Sequence, residues 1–205
     1  MKRSDITKQK LLAAAEEAFA EKGLYGARVD EISEAAGVNK RMLYAYFGSK
    51  EQLYVAVLED VYARMAEGEE ELFNQQLDSK EMVKKIIEHF FVFLYENPSF
   101  TKMVLWENLN EAQYLKESGA MATKGVSIDL LRKVLCQGVE QGVFRQDLDV
   151  EEMVLSINMF CFSYFSNIHT MAYIMNKNFS GRAEIEKRCA HITDIILRYI
   201  VRGEA

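Results

Sequence analysis

Proline is almost absent from this chain of 205 residues, which contains one, Pro98. Average usage would give about ten, and the tight turns of an all-β sandwich or barrel are difficult to form without them. Glycine does not make up the difference, with eleven residues. Hydrophobic residues account for 49% of the chain and charged residues for 27%, which excludes a disordered or fibrous protein. These counts predict a folded, largely helical chain.

Cysteine is also scarce, and the three residues are far apart in the sequence: Cys136, Cys161 and Cys189. This spacing fits neither a disulfide framework nor a zinc site, so we expect a cytoplasmic protein in a reducing compartment. The chain contains no GxSxG, P-loop or HExxH motif, and its histidines lack the spacing of metal ligands. We therefore expect no metal, no cofactor and no catalytic function. The missing motifs argue against an enzyme, which is the competing class of function.

Residues 153–176 contain no Asp, Glu, Lys or Arg. A run of this length raises the possibility of a membrane span. Eight of its residues are nevertheless polar, which is too many for a hydrocarbon environment. The start of the chain is charged and does not resemble a signal peptide. We predict a helix that is buried on most sides by protein, and no association with a membrane.

Apolar residues recur with helical spacing along the whole chain, which predicts an all-α fold of about nine helices. The first helix is predicted to end at Gly23 and the second at Gly37. A third begins shortly after Gly37, and two short helices joined by a glycine-containing turn form a helix-turn-helix unit. Pro98 separates two later helices. Long helices are predicted over 149–176 and 183–202.

The net charge of −6 at first argues against a nucleic-acid partner. Charge is unevenly distributed, however. Residues 1–50 carry nine basic and seven acidic side chains, whereas residues 51–205 carry sixteen and twenty-four. The segment 38–50 contains three basic residues and no acid. A basic segment within the helix-turn-helix is typical of DNA binding.

The predicted third helix has an inner face formed by Leu43 and Phe47, which are four residues apart. Arg41 and the small Ala45 then point outward, so this face can approach the floor of a DNA groove. An arginine here can pair with guanine, while basic and tyrosine side chains can reach phosphates or base edges. The candidate DNA-contacting residues on this reasoning are Lys40, Arg41, Met42, Tyr44, Tyr46 and Lys50.

The run GLYGARVDEISEAAGVNKRMLYAYFGSKEQLY resembles the N-terminal region of the TetR family of transcriptional regulators, with a match over about residues 7–54. The resemblance implies a three-helix DNA-binding head over 1–50 and a helical ligand-binding and dimerisation domain over 51–205. It also implies a repressor that a small molecule releases from a double-stranded DNA operator. The implied base-reading residues are Lys40, Arg41 and Tyr44, and the implied phosphate contacts are Arg28, Asn39, Tyr46 and Lys50.

In this family the last two helices usually pair across a two-fold axis, which implies a homodimer through 149–176 and 183–202 and a palindromic operator. The sequence departs from the family pattern where Ala27-Arg28 replaces a common Thr pair and Arg41-Met42 replaces a frequent Gly-Thr. The operator sequence of other members therefore does not transfer to this chain.

An unknown ligand would bind in the C-terminal domain. Polar side chains within apolar helices are the better candidates, because their burial requires a hydrogen-bond partner that a ligand could supply. For each of them, however, the sequence favours a hydrogen bond between helices over a ligand contact. Aromatic and Met residues at helical spacing more often belong to a core. An alternative is a DNA-binding repressor without small-molecule control, which is constitutive or answers to a protein partner. The candidate ligand contacts are Met103, Trp106, Glu107, Asn158, Tyr164, Asn167 and His169.

Overall fold

The computed structural model describes the backbone of residues 3–73, 75, 77–118 and 121–202. Within these residues the chain forms eleven helices and no β-strand, apart from one isolated bridge between Phe144 and Val201. The all-α prediction is confirmed. The helices are α1 (Arg3–Gly26), α2 (Val29–Ala36), α3 (Lys40–Phe47), α4 (Lys50–Phe73), α5 (Ser79–Glu96), α6 (Pro98–Leu109), α7 (Gln113–Glu117), α8 (Met121–Glu140), α9 (Val150–Ser166), α10 (Ile168–Ile174) and α11 (Arg182–Ile200).

The predicted count of about nine helices is too low for two local reasons. The single helix predicted over 149–176 is divided at Asn167 into α9 and α10. The Asn167 side-chain amide donates to the Ser163 carbonyl oxygen at 3.0 Å, and such side-chain bonds compete with helical backbone bonds. The short α7 follows two residues with positive φ, Glu111 and Ala112. No glycine or proline marks this turn in the sequence.

The chain forms two compact units, Met1–Arg64 with Ser99–Lys124, and Met65–Pro98 with Gly125–Ala205. The first unit thus contains the predicted head, part of α4, most of α6, and the whole of α7. The second unit contains α5, most of α8, and α9 to α11. The predicted functional boundary between residues 50 and 51 stays a prediction.

Aromatic side chains form much of the core of the first unit. The rings of Phe19 on α1 and Tyr54 on α4 meet edge to face, with their centroids 5.1 Å apart. Trp106 on α6 packs against α1, where its indole Nε1 donates to the Ala20 carbonyl oxygen at 3.3 Å. The helical conformation of α1 is interrupted beside this ring at Gly23, with φ 66° and ψ 176°. The predicted break at Gly23 is confirmed, although helical residues resume as far as Gly26.

In the second unit α5, α9 and α11 pack against one another. Helical spacing places one apolar stripe on α11, formed by Ile185, Cys189, Ile192, Ile196 and Tyr199. The first four are buried, but Tyr199 is exposed and Ile200 is buried in its place. Helix starts follow the sequence closely. The side chains of Ser49, Asp78 and Asp149 each accept a hydrogen bond from the backbone N–H three residues later, at 3.1, 2.9 and 3.1 Å.

Segment 153–176 is less buried within the chain than predicted. Leu155 is 52% exposed and Met159 50% exposed on α9, and Tyr173 and Ile174 on α10 are more exposed still. The expectation of burial on most sides is therefore wrong for the single chain, because α5 and α11 cover one side of α9. None of the described helices combines the length and the apolar character needed to cross a bilayer.

Candidate functional site

Helices α2 and α3 form the predicted helix-turn-helix. Gly37 ends α2 in the left-handed conformation, with φ 63° and ψ 33°, and its N–H donates to the Glu34 carbonyl oxygen at 3.0 Å. Asn39 then caps α3, because its side-chain oxygen accepts from the Arg41 N–H at 2.8 Å. The two helices are therefore joined by a short turn whose ends are both hydrogen-bonded.

The structure gives α3 the predicted inner and outer faces. Leu43 and Phe47 are buried in the core of the first unit. Arg41, Met42 and Tyr44 are exposed, and Tyr46 is half-buried. The ammonium of Lys8 on α1 lies 5.7 Å from the centroid of the Phe47 ring. Helix α3 thus presents a basic and aromatic outer surface, with its register fixed by two buried side chains.

The predicted DNA contacts differ in how free they are. Within the described part of the chain, neither Arg28 nor Arg41 has a carboxylate within ion-pair distance, so both guanidinium groups are available. The Lys40 ammonium pairs with Asp30 on α2 at 2.7 Å, and this hydrogen bond raises the pKa of Lys40. The Lys50 ammonium donates to the Ala27 carbonyl oxygen at 3.3 Å. Lys40 must therefore leave a partner before it can contact DNA.

Asp30 is a residue of this surface that the sequence reasoning missed. We expect Asp30→Asn to raise the affinity for random duplex DNA about two- to fivefold, because it frees Lys40 from a weak exposed ion pair. Fluorescence anisotropy with a labelled random duplex at fixed salt measures the change. Glu31→Gln is the matched control, since Glu31 pairs with Lys22 on α1 at 2.7 Å. An equal rise in both variants would indicate a general charge effect and contradict a role for Asp30.

Two known protein families match this chain. A family model described as a tetracyclin repressor-like C-terminal domain matches residues 80–196, and one described as bacterial regulatory proteins of the tetR family matches residues 11–57. The chain belongs to the TetR family. It is accordingly a DNA-binding transcriptional regulator, and the match over residues 11–57 contains α2 and α3.

Relatives of this TetR-family chain align over most of its length. The HTH-type transcriptional repressor NicS of Pseudomonas putida is 29% identical over 201 residues, which cover 98% of this chain and 95% of NicS. The HTH-type regulator YdgC of Bacillus subtilis is 30% identical over 149 residues, 71% of this chain and 72% of YdgC. The structure of the TetR-family regulator PfmR of Thermus thermophilus superposes with a TM-score of 0.73 at 25% identity, covering 94% of this chain and 99% of PfmR.

Three predicted ligand contacts of the TetR-family chain lie in its first unit. Met103 is fully buried, and Trp106 packs on α1 as described above. Glu107 is 2% exposed, and its Oε2 accepts from the Leu115 N–H at 2.8 Å. Burial, together with the Glu107 charge, raises the pKa of Tyr62 to about 12. The structure thus gives Trp106 and one oxygen of Glu107 partners within the protein, whereas Glu107 Oε1 is buried without a hydrogen-bond partner among the described residues. None of the three residues lines the grooves described below.

The other four predicted ligand contacts lie in the second unit, and the structure brings two of them together. Tyr164 and Asn167 line a groove of about 580 Å³ formed by α9, α10, α11 and Phe179. The Tyr164 hydroxyl donates to the Phe179 carbonyl oxygen at 2.7 Å. The Asn158 amide donates to its own helix, to the Val154 carbonyl oxygen at 2.8 Å, and His169 is exposed outside the groove.

A second groove of the TetR-family chain, of about 690 Å³, lies between α5 and α11 and contains none of the predicted contacts. Its rim carries charged side chains that are already paired, among them Arg182 with Glu186 at 3.0 Å. The groove beside Tyr164 is therefore the better ligand candidate of the two.

Nowhere in the described residues do His, Cys, Asp and Glu side chains form a group that could hold a metal ion.

Proposed function

We propose that this TetR-family chain is a dimeric repressor that binds a palindromic operator and leaves it when a small molecule binds. The outer face of α3 carries the proposal, because it exposes Arg41, Met42 and Tyr44 while Leu43 and Phe47 hold its register. Arginine and tyrosine on an exposed recognition helix can read base edges in the major groove. The name of NicS as a repressor supports the direction of regulation.

Exposed apolar side chains on α9 and α11 support a dimer. Leu155 and Met159 are about half exposed on α9, and Ile195 and Tyr199 are exposed on α11. A second copy of the chain would cover these residues in a symmetric four-helix bundle. Two heads related by a two-fold axis then require two half-sites whose centres are separated by about one helical turn, or a multiple of it.

The groove beside Tyr164 supports control by a small molecule, because its volume of about 580 Å³ is that of an ordinary ligand site. Ligand binding would favour one of two conformers of the dimer, and a few kcal/mol of difference in operator affinity suffices for release.

Binding to the intergenic DNA upstream of the coding gene tests the proposal. We expect a gel shift that competing operator removes at a concentration far below that of random DNA, and a dimer in sedimentation at the same protein concentration. A chain without preference over random DNA would contradict operator recognition. A monomer that still binds a palindrome tightly would contradict the assignment of α9 and α11 to a dimer.

A further inference from the structure

Arg188 on α11 is a cation that lines the groove beside Tyr164, and no described residue of opposite charge pairs with it. Its guanidinium carbon lies 6.0 Å from the centroid of the Tyr164 ring. Its Nε is buried and has no hydrogen-bond acceptor within the described residues. The Arg188 side chain therefore lines the groove without a carboxylate partner among the described residues, and a carboxylate bound in the groove would supply one.

Two other arginines on α11 differ from Arg188, because each has a carboxylate partner. Arg182 pairs with Glu186 at 3.0 Å, and Arg198 pairs with Asp194 at 2.8 Å, each one helical turn away. Glu184 lies one turn before Arg188 in the same groove, but the Lys177 ammonium binds it at 2.6 Å. Across the described residues, no carboxylate is within ion-pair distance of Arg188.

Apolar side chains form much of the rest of the groove wall. Ile168 and Met171 come from α10, and Met175 and Phe179 come from the segment that follows it. Lys187 and His191 lie on the same helix as Arg188, so cationic and basic groups outnumber the one acid in the groove. An apolar cleft with one uncompensated guanidinium suits a molecule that has an apolar body and one negative end.

We propose that this groove binds an organic carboxylate, with Arg188 pairing to the carboxylate and the Met, Ile and Phe side chains enclosing the apolar body. Guanidinium and carboxylate groups match in a planar, two-bond geometry that lysine does not offer. The proposal rests on the small-molecule control proposed above, and it names the chemical class of the ligand.

The groove lies within the two segments implied for the homodimer, 149–176 and 183–202, beside the exposed apolar residues named above rather than among them. Residues 163–167 of α9 face residues 184–191 of α11 across the groove. Leu155 and Met159 precede that part of α9, and Ile195 and Tyr199 follow that part of α11. Ligand binding and dimer formation thus use successive parts of the same two helices.

Two fluorescent probes with the same skeleton, 1-pyrenebutyrate and 1-pyrenebutanol, test the role of the charge. We expect the full chain to bind pyrenebutyrate saturably, and Arg188→Gln to weaken that binding at least about tenfold, because hydrogen bonds to charged groups are the stronger class. Pyrenebutanol affinity should be unchanged by the same substitution. Arg182→Gln is the matched control on α11, and it should leave both affinities unchanged.

Three outcomes would overturn the proposal. The unmodified chain could fail to bind pyrenebutyrate saturably, or Arg188→Gln could lower the affinities for both probes equally. Arg182→Gln could also lower the affinity for pyrenebutyrate as much as Arg188→Gln does. Thermal melting of each variant shows whether a loss of binding reflects unfolding, and Arg188→Lys, which keeps the charge, should recover part of the pyrenebutyrate affinity. Operator binding is measured separately. Pyrenebutyrate binding through Arg188 without operator release would uphold the site and contradict the proposed induction.

Discussion

Replacing Gly23 by alanine is expected to lower the free energy of unfolding by about 3 kcal/mol. Gly23 has φ 66° and ψ 176°, a combination that side-chain-bearing residues almost never adopt. A Cβ atom at this position would also lie 2.9 Å from Cδ2 of the Trp106 indole. Backbone strain and overpacking therefore act together, and the loss is a large fraction of the stability of a typical protein.

Urea unfolding followed by circular dichroism measures the effect, with Gly37→Ala as the matched control. Gly37 also has a positive φ, of 63°, but an added Cβ would meet no atom within 4 Å. Its ψ of 33° places it in the left-handed helical region, where alanine costs about 1 kcal/mol. The difference between the two variants isolates the contact with Trp106 and the less accessible backbone conformation of Gly23.

A second substitution separates those two contributions. Trp106→Leu removes the ring that the new Cβ would meet, so Gly23→Ala should cost less in the Trp106→Leu background than in the unmodified chain. The backbone strain would remain. If Gly23→Ala were no more destabilising than Gly37→Ala, the close packing of α6 on α1 at this glycine would be contradicted.

Arg41→Ala is expected to reduce operator affinity about 10- to 100-fold, because a bidentate arginine–guanine contact contributes about 1–3 kcal/mol of discrimination. Arg41 is exposed on α3 and has no carboxylate partner in the described chain. Its loss should have a much smaller effect on random DNA. Fluorescence anisotropy with operator and random duplexes at the same salt concentration gives both affinities.

Lys50→Ala provides the comparison for a phosphate contact. It should weaken binding to operator and random DNA about equally, and should reduce the slope of log affinity against log salt by about one unit. The Lys50 ammonium also holds the Ala27 carbonyl oxygen, so thermal melting should accompany the binding data. Equal losses of specificity in the Arg41 and Lys50 variants would contradict the separate roles assigned to them.

Most helix ends in the described chain could be predicted from the sequence because short-range interactions determine them. Gly37 ends α2, Asp78 and Asp149 cap the helices that follow them, and Pro98 separates α5 from α6. Each of these signals acts within one helical turn. Asn167 divides α9 from α10 within an apolar run that the sequence presented as one helix.

The candidate ligand contacts were harder to predict because burial and partners come from distant parts of the chain. Glu107 is polar within an apolar helix, and the sequence favoured an interhelical hydrogen bond over a ligand contact. The structure supplies such a bond to Oε2 from the Leu115 N–H, eight residues away, whereas Oε1 is buried without a hydrogen-bond partner among the described residues. Arg188 was missed because it lies beside the apolar stripe of α11 rather than in it, and only the packing of α9 and α10 forms a groove around it.

The sequence by itself determined the helical class, the helix-turn-helix and the outward face of α3, because apolar spacing and capping residues act locally. Only the tertiary structure decided which cations on that face are free. Asp30 on α2 engages Lys40, the Ala27 carbonyl engages Lys50, and Arg41 remains available. Ion pairs and grooves between helices depend on how separate elements pack, and short-range periodicity carries no information about that packing.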